Sequence, residues 1–263
     1  MQTNDDDLPL VRHDEAGVAT LTMNRPRQFN ALSEEMLEAL DHELSRLAED
    51  DAVRCVVIAA VGKAFCAGHD LKQMRANPDE AYYRSLFARC GEVMQRIVNL
   101  PVPVIARVQG IATAAGCQLV ASCDLAVAAR SARFAVSGIN VGLFCSTPAV
   151  ALSRSVGRKR AQEMLFTGDF IDADQALDWG LINRVAEEEA LDEVLGRLTD
   201  SICSKSAVAV RTGKAMFQRQ LQMPLEEAYA FAGDTMACNM MAEDVAEGID
   251  AFIEKRPPNW RHR

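Results

Sequence analysis

Apolar residues recur along this chain with two periods, and the switches between them outline its elements. Val18-Ala19-Thr20-Leu21-Thr22-Met23 alternates in size and polarity and stops at Asn24-Arg25-Pro26, which predicts a strand closed by a turn. From Ser33 to Asp50 the period lengthens. Met36, Leu40, Leu44 and Leu47 recur at spacings of three and four, Glu34 and Glu35 fill the first turn, and Ser33 stands at the cap, so an amphipathic helix is predicted. The run 53–60 is short and apolar, as a buried strand should be. The alternation continues with a helix over 84–98, a strand over 102–108, a helix over 115–122 and a strand over 125–129. Beyond Pro148 almost everything has the helical period, including 159–166, 172–179, 190–203, 207–220 and 225–241. The expectation is an α/β core over residues 1–185 and a helical region over 186–263, with no Gly/Ser/Pro linker between them.

Composition changes this picture in three places. With 263 residues, 49% apolar and 25% charged, the chain is long enough to bury a large core. A formal net charge of -9 removes any generic affinity for nucleic acid or anionic membranes, so an anionic ligand has to be met by local donors. The eight cysteines include no C-x-x-C pair and no histidine at finger-like spacing, which leaves neither a zinc site nor a disulfide framework; no metal and no resident cofactor are expected. They are expected as small buried thiols in a reducing cytoplasm. The acidic start, Met1-Gln2-Thr3-Asn4-Asp5-Asp6-Asp7, is unlike a signal or transit peptide and is expected as a frayed tail. No apolar run approaches the roughly 18 residues of a membrane span, and a cytoplasmic location is expected.

Candidate chemistry lies in two glycine-containing loops that follow apolar strands, residues 62–71 and 110–119, each leading into a helix. A helix start carries unpaired N–H groups and the positive end of the macrodipole, so two such junctions could converge on one oxygen. Neither loop has the spacing of a nucleotide-binding G-x-x-x-x-G-K-[ST] or G-x-G-x-x-G motif. Small residues between strand and helix also serve simply to allow close packing, and on spacing alone both readings stand.

Specificity comes from resemblance. Ala64-Phe65-Cys66-Ala67-Gly68-His69-Asp70-Leu71 resembles the F-[CS]-A-G-x-D-[IL] loop of the enoyl-CoA hydratase/isomerase (crotonase) superfamily. Val104-Ile105-Ala106-Arg107-Val108-Gln109-Gly110, Ala115-Gly116-Cys117-Gln118-Leu119 and Cys123-Asp124-Leu125 resemble the stretch that follows it there. Asn24-Arg25-Pro26, Asn30-Ala31-Leu32, Leu165-Phe166-Thr167-Gly168, Gly180-Leu181-Ile182 and Phe252-Ile253-Glu254-Lys255-Arg256-Pro257 keep family order over nearly the whole chain. The resemblance implies a crotonase-like spiral of ββα units with a C-terminal helical trimerisation region, assembled as a homotrimer or a hexamer (dimer of trimers). It implies an acyl-CoA or enoyl-CoA ligand, with coenzyme A thioester as substrate and no further cofactor. By motif position the backbone N–H groups of His69 and Ala115 would form an oxyanion hole. Arg27, Ala31, Leu32, Ala67, Gly68, His69, Asp70, Leu71, Lys72, Ala115, Gly116 and Lys255 would line the path of the thioester and its nucleotide. The His69 side chain is expected as a spacer, and replacing Gly68 or Gly116 with Val is expected to weaken ligand binding in a folded protein.

The chain departs from the family at its acid/base positions. Gln118 and Gly138 stand where hydratases carry glutamates, and Ser146 stands where some isomerases place a carboxylate. An amide has no useful pKa near neutrality, so Gln118 can hold water or brace a loop but cannot act as a base. Gly142-Leu143-Phe144-Cys145-Ser146-Thr147-Pro148 resembles a sub-branch named enoyl-CoA hydratase domain-containing. The resemblance implies an enoyl-CoA hydratase-type lyase of fatty-acid and acyl-CoA metabolism. Two alternatives stay open: a non-catalytic acyl-CoA-binding protein, and a thioester hydrolase using either Cys145, paired with His69, or an activated water.

Overall fold

The computed structural model describes residues 8–263; the expectation of a frayed acidic tail falls on 1–7, outside the described residues. The chain opens with β1 (Leu10–Glu15) and β2 (Val18–Met23), an antiparallel hairpin in which Ala19, Leu21 and Met23 turn inward as the alternation predicts. Helix α1 (Glu34–Ala48) follows. The Ser33 side chain accepts a hydrogen bond from the Met36 amide at 3.3 Å, and Met36, Leu37, Leu40, Leu44 and Leu47 form the buried stripe.

From here the chain repeats one manoeuvre. A strand enters a large sheet, a three-residue strand enters a small sheet, and a helix returns. β3 (Cys55–Ala60) and β4 (Ala64–Cys66) lead to α2 (Leu71–Ala76) and α3 (Glu80–Asn99). β5 (Val104–Val108) and β6 (Ile111–Thr113) lead to α4 (Ala115–Ser122). β7 (Leu125–Ala129) and β8 (Arg133–Ala135) lead to α5 (Ser146–Ser155) and α6 (Arg158–Thr167). After β9 (Ile171–Asp172), α7 (Ala173–Trp179) and β10 (Arg184–Ala186), the large sheet has the order β1-β2-β3-β5-β7-β10 and the small one β4-β6-β8-β9. Among the described residues only β1–β2 and β8–β9 pair antiparallel; every other strand pairing is parallel. Of the small sheet's strands, β4 and β6 lie inside the two stretches read as loops and β8 was not read as an element, because three residues are too few for a period to register. β9 and β10 likewise interrupt the stretch expected to be helical.

The remaining helices are α8 (Leu191–Cys203), α9 (Ala207–Gln220), α10 (Leu225–Asn239) and α11 (Glu243–Glu254). Helix α8 closes one face of the large sheet, with Leu191 packed among Cys55, Ile105, Val127 and Ala129. Helix α9 is fastened by a buried cation. Lys214 Nζ donates to Asp124 Oδ2 at 2.6 Å and to the carbonyls of Ile97 and Val102 at 3.1 and 3.0 Å, while the same carboxylate oxygen takes the Val104 amide at 2.8 Å. Burial alone would favour the neutral amine, and Asp124 opposes it.

Removing the ammonium would leave an enclosed carboxylate and two carbonyls without their donor. Lys214→Met is therefore expected to lower the unfolding free energy by about 3–5 kcal/mol, measured by urea titration. A loss below about 1 kcal/mol would mean that α9 is held chiefly by apolar contact.

Candidate functional site

The small sheet sets up the site. β4 and β6 pair in parallel, Ala64 opposite Ile111 and Cys66 opposite Ala112, so the loops that leave their ends run side by side. They then touch. A Cβ on Gly116, the second residue of α4, would stand 2.1 Å from the Cys66 carbonyl oxygen. Gly68 sits at φ +91, where a Cβ would lie 2.9 Å from that of Ala114 and 3.3 Å from the Ala115 nitrogen. Between β6 and α4, Ala114 takes φ 51 and ψ -120, a conformation that side chains rarely adopt, held by its amide on the Ala135 carbonyl at 3.0 Å. No side chain caps α4, so the Ala115 N–H lies at an uncapped helix start beside the Gly68–His69 turn.

A third segment braces this junction. Ala67 donates to the Phe29 carbonyl at 3.0 Å, and Leu32 donates to the Gly68 carbonyl at 2.7 Å in a bridge that pairs Leu32 with His69. Asn30, fully buried, is its fastener. Its Oδ1 accepts from the Arg25 amide at 2.8 Å, and its Nδ2 donates to the carbonyls of Val61 and Ala64 at 2.9 and 2.8 Å.

Beside the junction lies a cavity of about 280 Å³. Its wall comes from Ala67, His69, Ala114 and Ala115 at the junction, from Leu71, Met74 and Phe87 of α2 and α3, and from residues between Ser137 and Pro148. None of the wall residues is Asp, Glu, Lys or Arg. Of the residues singled out in the sequence, Ala67, His69, Leu71, Ala115, Gly138 and Ser146 belong to the wall, with Cys145 and Thr147. Gly68 and Gly116 pack at the junction, and Ala31 and Leu32 lie on its brace. Asp70 caps α2, accepting from the Lys72 and Gln73 amides at 2.8 and 3.1 Å, so Asp70 and Lys72 mark a helix start and are not wall residues. Arg27 is exposed in a short turn at Pro26–Gln28, and Lys255 ends α11 at φ 53, also exposed. Met74 and Phe87 were missed, because nothing in a helical period says which cavity a face lines, and Ser137 was missed because it opens a short turn with no period to read.

Three positions bear on acid/base chemistry. Gln118 is buried in α4, is not a wall residue, and its Oε1 has no partner among the described residues. Gly138 is closed to side chains. Its N–H donates to Cys145 Sγ at 3.3 Å, and a Cβ there would stand 2.6 Å from the Leu143 carbonyl oxygen and 2.7 Å from that sulfur. Burial pushes the Cys145 thiol up, more than the Gly138 hydrogen bond lowers it, which keeps it protonated at neutral pH.

His69 is one of the residues that line the cavity. Nδ1 lies 3.4 Å from the Leu32 carbonyl, the ring sits 5.4 Å from that of Phe87, and Nε2 is enclosed with no partner among the described residues. Desolvation holds the ring below the usual imidazole pKa, so it is neutral at physiological pH. Among the described residues no group of His, Cys, Asp and Glu is placed to hold a metal ion.

Residues 13–263 match the model of the enoyl-CoA hydratase/isomerase family, and the chain belongs to that family. It is 48% identical over 246 residues to enoyl-CoA hydratase domain-containing protein 3, mitochondrial, of Rattus norvegicus, covering 94% of this chain and 82% of that one. The structure of an enoyl-CoA hydratase from Mycobacterium smegmatis superposes with a TM-score of 0.95 at 63% identity, covering 96% of this chain and 98% of that one. That of human enoyl-CoA hydratase domain-containing protein 3 gives 0.93 at 44% identity, covering 96% and 100%. The α/β spiral is therefore the fold of this family. The mitochondrial name of the rat relative overturns the expectation of a cytoplasmic location.

The junction also corrects the expectation that Gly116 tolerates a larger residue, since the atom it would strike is backbone. Gly116→Ala is expected to destabilise the protein by about 3 kcal/mol or more. Gly213→Ala, in α9 with nothing within 4 Å, is expected to be neutral or to stabilise by about 0.4–1 kcal/mol. Thermal unfolding of the pair checks the contrast, and equal midpoints would refute the close approach.

Proposed function

We propose that this member of the enoyl-CoA hydratase/isomerase family binds an acyl-CoA or enoyl-CoA thioester and acts as an enoyl-CoA hydratase-type lyase in fatty-acid and acyl-CoA metabolism. The observation that carries the reading is the junction itself: two backbone segments meet at Gly68 and Gly116 beside an apolar cavity whose wall bears no charge. The thioester carbonyl would sit on the His69 and Ala115 amides, with the acyl chain in the cavity. As charge develops on that oxygen, two fixed donors stabilise it without reorganising, and each is worth about 10²–10³ in rate. Such donors depend on the main chain, which is why side chains as unlike as those of His69 and Ala115 can stand at the two positions.

Arg27 and Lys255 are the cations assigned to the nucleotide end, and Lys72 to the thioester path, because an acidic protein has to meet phosphates locally. Trimeric or hexameric assembly through the C-terminal helices belongs to the same proposal. Tyr229, Met236, Phe252 and Ile253, all largely exposed in the single chain, support it.

A second reading, binding without catalysis, has its own observation: the cavity wall lacks any carboxylate and position 138 has no room for one. For the hydrolase reading, burial raises the Cys145 thiol and so weighs against its thiol version, not against an activated water.

Two measurements separate these readings. The wild type is expected to bind butyryl-CoA in a calorimeter, and Gly68→Val, which forces a branched side chain onto φ +91 against Ala114, is expected to weaken binding at least about tenfold. Unchanged affinity would sink the pocket. With crotonyl-CoA, loss of the conjugated thioester absorbance supports the lyase, whereas binding with a steady spectrum supports the non-catalytic reading.

A further inference from the structure

Resting on the thioester reading above, we propose that the acyl group held in this cavity is an uncharged hydrocarbon chain of about eight carbons, and that acyl groups ending in a carboxylate are turned away.

The size of the cavity points to the length. It measures about 280 Å³. An apolar protein cavity of about 150 Å³ holds a benzene ring, which has six carbons. On that scale the space beside the junction accepts about eight carbons, with volume left over at the mouth, where the wall residues Leu71, Val141 and Phe144 are exposed. A butyryl or crotonyl group would leave most of this wall in contact with water. Each further methylene moved from water onto such a wall tightens binding by up to about fourfold.

The make-up of the wall points to the ending. Leu71, Met74, Phe87, Leu143, Phe144 and Pro148 supply its carbon. Part of it is held firmly, because Tyr83 stacks on Phe87 at 6.4 Å while its hydroxyl donates to the Met74 carbonyl at 3.0 Å. Another part is folded over position 138, where the Leu143 amide donates to the Gly138 carbonyl at 3.0 Å.

A carboxylate at the far end of an acyl chain would find no cation here. No wall residue is Lys or Arg, and Lys72 and Arg75, the cations of α2, are exposed and outside the wall. Two of the wall hydroxyls are engaged: Ser137 pairs with Thr113 Oγ1 at 2.7 Å, and Ser146 donates to the Phe144 carbonyl at 3.4 Å. Thr147 adds a neutral donor, and Asp70, between the wall residues His69 and Leu71, adds negative charge. An ion taken out of water without a partner of opposite sign costs more than the contacts of its chain return.

Calorimetry on the full chain with butyryl-, hexanoyl-, octanoyl-, dodecanoyl- and glutaryl-CoA tests both halves. Affinity is expected to rise at least about tenfold from butyryl- to octanoyl-CoA and less than about twofold more to dodecanoyl-CoA, whose last carbons lie outside the cavity. Glutaryl-CoA is expected to bind at least about tenfold more weakly than hexanoyl-CoA. Phe144→Lys places a cation in the wall at a residue 40% exposed, and Leu143→Lys does so at one 46% exposed, so thermal unfolding should show both folded. Each is expected to cut the preference for octanoyl- over glutaryl-CoA at least about tenfold. Equal affinities along the series, a rise that continues to dodecanoyl-CoA, glutaryl-CoA binding as tightly as hexanoyl-CoA, or an unchanged preference in both folded variants overturns this proposal and leaves the thioester reading intact. A wild type that binds none of the five overturns both.

Discussion

The rest of the site depends on backbone contact between two adjacent turns of the spiral. Because β4 and β6 are parallel neighbours, the Cys66 carbonyl is pressed against α4 so closely that a Cβ at 116 would lie 2.1 Å from it. The same closeness recurs one step earlier, where a Cβ on Gly110 would stand 2.1 Å from the Lys63 carbonyl oxygen. Glycines just before β6 and within α4 thus let consecutive loops nest, and the nesting brings the turn at Gly68–His69 to the start of α4. The Ala114 backbone, held off its preferred conformation, is a local cost of that contact.

Such a junction needs support from outside, and buried polar groups supply it. Asn30 satisfies one amide and two carbonyls where the segment before α1 crosses the β3–β4 turn, which apolar side chains could not do. Lys214 does the equivalent at the far end, gathering the end of α3, the approach to β5 and Asp124 onto α9. Both join segments distant in sequence, and each loses several hydrogen bonds at once if its side chain is removed.

The larger elements were legible in the sequence because each spans enough residues for its period to repeat. Helix 115–122, strand 125–129 and helix 207–220 fall where the pattern places them, and the Ser33 cap is formed. The small sheet was not legible, since three-residue strands such as Ala64–Cys66 have no period and their pairing is set by tertiary packing. The loops were recognisable as a resemblance, but their contact was not. Residue types at 68 and 116 say that a backbone approaches, and only the fold says which one. The same limit explains His69. A histidine between glycine and aspartate carries no mark of where its ring points, and Phe87, which packs against it, comes from a stretch read only as helical.

Gly138 turns this packing into an argument about chemistry. An absent glutamate can be a single lost side chain on an otherwise unchanged frame, in which case the frame keeps its space. Here the space is occupied. The Gly138 N–H holds Cys145 Sγ, the Leu143 carbonyl closes over the same point, and Ser137 is drawn to Thr113 by a hydroxyl pair. The segment has settled around having no side chain at 138, and Gln118, buried with an unpaired oxygen, lies outside the cavity wall. A pocket rearranged this far is not one substitution from a two-carboxylate hydratase. Any proton transfer in it would have to proceed without a charged side chain in the wall, since none of the lining residues is Asp, Glu, Lys or Arg.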